Sequence, residues 1–256
     1  MAKLAATGSK LFIGPYDISD HLTNVGMTLT QEAVDDVCML GDSAGTAKFM
    51  QSFLPGLKSH ELSYSGYSEA GTGEVGTVLD EYLGDANTII TVCPQTGTMG
   101  EPAYSAYFNA LEHNEIDGSV GGMHGYSGAA AGQGTVCFRG TIMGNGAKTT
   151  TANGTIYQLG AITAGTNGLY ASLHCTAVAG DESQTLIVDL YSSPLANFSS
   201  STKRVTFTTV STAATSEIKS LLTAVTDTYW RATWTVANGG ASVSFTININ
   251  AGIATL

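Results

Sequence analysis

The sequence predicts a mainly β protein, and three observations carry that expectation. Short apolar or alternating runs recur along 256 residues, separated by Gly, Pro, Asn, Asp and Ser at spacings typical of sandwiches and barrels. Only one stretch repeats its apolar residues with a clear helical period. Charged residues are 12% of the chain, about half the roughly 25% of an average soluble domain, and Gly, Thr, Ser and Ala fill the difference. Hydrophobic residues at 43% supply ample core, and the length fits one large domain or two ordinary ones. A surface so poor in charge is commonly covered in part, and self-association covers it without any ligand.

In chain order, residues 10–18 are a short apolar run broken by Gly14-Pro15. Residues 21–29 alternate loosely; Glu32, Asp35 and Asp36 interrupt before 37–40, and 41–45 have turn chemistry. Residues 60–68 alternate, with Leu62 and Tyr64 on one face. Val75, Val78, Leu79, Tyr82 and Leu83 predict a short helix across a sheet, with Thr77 and Asp80 as a capping box and Gly84 as its stop. Strands are expected over 87–93, 103–111, 116–123 and 135–143. Residues 144–154 (GNGAKTTTANG) are the candidate linker. Beyond it strands are expected over 169–179, 185–191, 204–210, 229–236 and 242–249, with a helical turn around 216–222. The expected organisation is a β unit over 1–147 with a long early hairpin loop, then a second β-sandwich over 155–256.

Charge divides the same way. Residues 1–150 hold sixteen acidic and six basic residues, a net of −10; residues 151–256 hold five and four, a net of −1. An acidic chain is a poor grip for phosphates, which argues against nucleic-acid binding. The N-terminus lacks the pattern of a secretory signal, and no run of about 18 apolar residues would span a membrane. Cys38, Cys93, Cys137 and Cys175 are far apart in apolar contexts, so buried free thiols are expected.

No motif makes a case for catalysis, cofactor or metal. Residues 41–45 (GDSAG) match the G-x-S-x-G nucleophile elbow, with Ser43 at its centre. The elbow needs an upstream oxyanion loop and an alternating β/α pattern, neither of which is present, so a plain turn is the reading. His21, His60, His113, His124 and His174 lack spacing that presets a metal site, and solvated or structurally bonded histidines are expected. The acidic segment of Glu32, Asp35, Asp36 and Asp42 lacks EF-hand spacing and reads as a solvated hairpin loop. Trp230 and Trp234 share one strand face. Exposed, they would suit sugar stacking, as in a carbohydrate-binding or adhesin-type sandwich; Val236, Val243 and Phe245 nearby favour core.

The order of elements in 1–143 resembles the tail tube proteins of long-tailed phages. The residues that carry the resemblance are the early hairpin over 22–40 with its loop to Phe53, the phrase LKSHELSYSGYS at 57–68 leading to the helix at 75–83, and, in the second half, LYASLH at 169–174, KRVTFTTV at 203–210 and TYWRATWTV at 228–236. The resemblance implies a non-enzymatic virion protein, assembled in the host cytoplasm and resident in the tail. It implies stacked homo-oligomeric rings of three or six chains, contacts with other tail proteins such as a tape measure and a tip or terminator, and DNA passing without specific binding. Three chains follow if 155–256 duplicates the tube unit, six if it is an outward decoration. On this reading Glu32, Asp35, Asp36, Asp42 and Lys48 form an inter-ring contact loop. Glu112, Glu115 and Asp117 are candidates for lumen charge, where carboxylates would repel phosphate.

Overall fold

The computed structural model describes residues 8–40, 48–69, 75–117, 124–132, 137–180, 183–237 and 243–255; at 32–40, 48–57, 110–111 and 115–117 it describes the backbone path. β1 (Lys10–Ile13) and β2 (Tyr16–Asp17) make a tight hairpin, and a 3-10 turn at Ser19–His21 leads into β3 (Leu22–Leu40), which pairs with β4 (Lys48–Tyr67). α1 (Val75–Tyr82) is the only α-helix among the described residues. There follow β5 (Thr88–Cys93), β6 (Pro102–Asp117), β7 (Gly125–Gly132), β8 (Phe138–Lys148), β9 (Ala152–Gln158), β10 (Asn167–Ala179), β11 (Thr185–Ser193), β12 (Thr202–Thr206), β13 (Thr215–Leu221), β14 (Tyr229–Ala237) and β15 (Ser244–Thr255). The fold is mainly β with one short helix, as the alternation predicts.

Two antiparallel sheets hold these strands. The larger runs β13-β10-β15-β8-β6-β5-β1-β2, with β7, β4 and β3 branching from β6; the smaller runs β12-β11-β14-β9. The branch follows from the length of β6. Its first residues lie between β5 and β8, whereas Phe108 to Asp117 pair with β7. One strand thus belongs to two layers.

Period-2 alternation builds both cores. Leu169, Ala171, Leu173 and Cys175 of β10 and Phe245, Ile247 and Ile249 of β15 belong to one buried cluster with Leu186, Val188 and Leu190 of β11 and Trp230, Ala232 and Trp234 of β14. Each of the large side chains contributes about 1.5–3 kcal/mol on burial. The second cluster joins Leu11, Ile13, Ile90, Val92 and Phe108 to Leu62, Tyr64, Tyr126 and Ala130, with Val75, Val78 and Leu79 of α1 packed into it. Gly84, at φ +85°, ends the helical segment in the left-handed region that glycine favours.

The opposite face of β10 is polar and buried at its centre. Ser172 and His174 meet Thr91 of β5 and Ser105 of β6, and Asn250 of β15 donates to Ser105 Oγ at 2.8 Å. Each of these links closes on another hydroxyl, imidazole or amide, which is what makes polar burial tolerable here.

Three expectations are corrected. Residues 144–154 are not a linker: they span the end of β8 and the start of β9. A side chain's first carbon at Gly154 would meet the backbone carbonyls of Ala232 and Met143 at 2.9 and 3.1 Å, and one at Gly144 would meet Ile249 at 3.1 Å, so these glycines mark close packing rather than slack. Residues 216–222 do not begin a helical turn; Thr215–Leu221 is β13, paired to β10. The helix starts at Val75, so Thr77 and Asp80 lie inside it and cannot form its capping box. The strand expected over 116–123 is the tail of β6, ending at Asp117, with 118–123 outside the described residues; β7, a Gly- and Ala-rich strand, carries no alternating pattern that announces it.

Candidate assembly surface

The candidate site is a projecting arm and the cleft at its base. β3 and β4 are 19 and 20 residues long, yet β4 pairs with a third strand, β7, only over Glu61–Tyr67. Beyond Gln31 and Lys58 the two strands continue alone as a ribbon. About ten residues per strand at about 3.4 Å each carry it about 30 Å outward. A register shift between Gln31 and Ala33, with Ala33 opposite Pro55, marks where the arm leaves the sheet. Proline is tolerated there because no third strand asks for its missing N–H.

β3 pairs only with β4 among the described strands, which leaves its other edge open. On its inward face, Val25, Met27 and Leu29 stand opposite Tyr64, Leu62 and His60. Those three partners are buried, whereas Leu29 is 56% exposed. The facing layer stops short of the edge. The result is a cleft of about 330 Å³ lined by Val25, Met27, Leu29, Val92, Pro94 and Tyr104, mostly apolar side chains. Arg139 of β8 lies opposite Tyr104 in register, so it adds an exposed cation to that face of the sheet. It makes no ion pair among the described residues.

The residues anticipated from sequence fall into two groups. Glu32, Asp35 and Asp36 lie in β3, not in a loop, with Asp35 opposite Phe53 and Asp36 opposite Ser52; Lys48 opens β4 opposite Leu40. The structure thus brings four of the five to the arm. Asp42, and with it the GDSAG turn and Ser43, lies outside the described residues. Glu112 is exposed on β6 opposite Ala129; Glu115 and Asp117 follow in the same strand, Asp117 opposite Gly125. No sequence pattern marks the cleft, because its lining comes from separated segments of the chain. The exposed Leu29 in an otherwise inward-facing series is the one signal, and it is visible only with the fold in hand.

Two polar constellations look chemical and are structural. Thr91 Oγ1 lies 2.7 Å from His174 Nε2, a hydroxyl–imidazole pair, but both residues are 0% exposed, so no substrate reaches them. Burial pushes the His174 imidazole down to about 4, against the smaller opposing effects of the Gly14 carbonyl and Asp17. Ser192 donates to Asp227 at 2.6 Å while Arg204 bonds both, a clamp joining β11, β12 and the segment before β14. Burial raises the thiols of Cys93, to about 12, and Cys175, to about 11, which leaves them protonated and inert near neutrality. Among the described residues no group of three or more His, Cys, Asp or Glu is placed to hold a metal ion. Trp230 and Trp234 are 1% and 7% exposed, and Trp230 Nε1 donates to the Gly160 carbonyl at 2.8 Å. They are core, which removes the observation that raised a sugar-stacking reading.

No family model matches the chain, and no curated protein does. Among solved structures, the chain is similar to a component of the virion of a native gene transfer agent particle, at 16% identity and TM-score 0.38 over 52% of this chain and 96% of that one. It is similar to a component of the tail of an empty gene transfer agent particle of C6 symmetry, at 16% identity and TM-score 0.32 over 45% and 79%. It is also similar to the SPP1 Dit protein, described as a hub adsorption apparatus of phages infecting Gram-positive bacteria, at 10% identity and TM-score 0.32 over 96% and 99%.

Proposed function

We propose that this chain is a non-enzymatic structural subunit of a phage-type tail, which polymerises into stacked rings around a channel for DNA. The observation that carries the reading is the unsupported arm beside an open strand edge. A two-stranded ribbon is at best marginal alone in water, and an uncovered edge invites pairing, so a stable chain with both features calls for a partner surface. On this reading residues 1–147 form the ring-building unit and 155–256 a second β unit, either a duplicate or an outward decoration. Glu112, Glu115 and Asp117 line the channel, where carboxylates keep a phosphate backbone from sticking. Tape-measure and tip or terminator proteins bind the ends of the stack.

Replacing residues 33–54 with a short Gly-Ser link tests the reading, because it shortens both strands of the arm together and leaves the buried clusters intact. Sedimentation velocity is expected to show large polymers for the intact chain and small species for the shortened one. Equal polymerisation of both chains contradicts the role of the arm.

A further inference from the structure

We propose that the cleft beneath the free edge of β3 is the seat for the projecting arm of a second copy of this chain. The inference rests on the assembly reading above and adds the acceptor surface to it. One chain carries both an arm without a support and a sandwich mouth without a cover. A head-to-tail contact satisfies both at once, and repeating it generates a ring or a filament rather than a closed dimer.

Chemistry matches on the two sides. The arm reads EAVDDVCML outward and KFMQSFL on its return, so large apolar residues are interspersed with three carboxylates, Glu32, Asp35 and Asp36. The cleft offers Val25, Met27, Leu29, Val92 and Pro94 for the apolar part, and Arg139 on the same face of the sheet for the acidic part. In a chain with 21 acidic and ten basic residues, a cation that forms no ion pair among the described residues and shares a sheet face with an apolar cleft selects for an acidic partner.

The test uses the full chain with substitutions at positions the fold does not need. Leu29→Asp and Arg139→Glu change exposed residues, and near-UV circular dichroism checks that packing is kept. Each is expected to raise the protein concentration needed for polymer formation by about tenfold or more. Asp35→Lys with Asp36→Lys on the arm is expected to do the same. Combining that pair with Arg139→Glu restores polymers towards the unmodified level. Polymerisation of Leu29→Asp and Arg139→Glu at the unmodified concentration overturns the cleft as acceptor while leaving the assembly reading intact, as does a combined variant no better than its parents. An unmodified chain that stays monomeric at every concentration removes the assembly reading itself, and the acceptor with it.

Discussion

His174 of β10 accepts a hydrogen bond from the Thr91 hydroxyl of β5 at 2.7 Å while its Nδ1 donates to the Gly14 carbonyl at 2.6 Å. The carbonyl can only accept, which assigns the proton to Nδ1 and the lone pair to Nε2. One neutral imidazole therefore locks the second half of the chain onto the first, and the lock has measurable consequences.

Stability is expected to fall on mild acidification. The unfolded chain takes up the His174 proton near pH 6.5, but the folded chain resists it down to about 4. Because the folded value is depressed, the contribution of the neutral ring is complete above pH 6.5 and is lost as pH falls from there towards 4. The full span is worth up to about 3 kcal/mol. Urea unfolding between about pH 7.5 and 4.5 measures it, with His174→Gln as the comparison. Carboxylates titrate alike in both chains, so the prediction is a shallower pH slope in the variant; identical slopes contradict it.

Thr91→Val keeps the shape of the side chain but leaves His174 Nε2 without its donor. The expected cost is about 1–3 kcal/mol, the penalty for an orphaned buried acceptor. Thr235→Val, at an exposed position of β14, is expected to change stability by less than about 0.5 kcal/mol. Equal midpoints for the two variants would show that the seam is not bonded as described.

Gly66→Ala is expected to be strongly destabilising. An added Cβ would overlap the backbone carbonyl of His21 and press on the Tyr126 ring at 2.7 Å. Backbone cannot give as a side-chain tip can, so the cost is about 1–3 kcal/mol or more. Thermal unfolding reads the loss, and Gly146→Ala makes a poor control because its φ of +75° is itself strained for any other residue.

Tryptophan fluorescence follows from burial of both indoles. Emission of the folded chain is expected to be blue-shifted and to move red on unfolding. Trp230→Ala is expected to cost about 3–5 kcal/mol. A glycan array should give no hits through this strand face. A red emission maximum in the folded state would restore the sugar-binding alternative.

How much of the fold is legible in the sequence depends on where the information sits. Alternation in β10 and β14 and the 3–4 spacing of α1 are local, and the sequence displays them directly. β7 is not local. Its run GYSGAAAG carries no alternating pattern, and Gly128 and Gly132 are small because the Tyr64 and His60 rings occupy the space a side chain would take. Gly154 is small for a related reason, because the backbone carbonyls of Ala232 and Met143 crowd it at 2.9 and 3.1 Å. In the arm, carboxylates that read as a loop lie in paired strands, because backbone pairing does not depend on an apolar pattern in the side chains. The buried role of His174 leaves no trace in LYASLH, since its partners come from Gly14 and Thr91.

Negative-stain electron microscopy of the purified chain tests the central claim most directly. Rings or tubes of one fixed bore, with threefold or sixfold symmetry in end-on views, are the predicted result. Dispersed monomers at every concentration and ionic strength would contradict it.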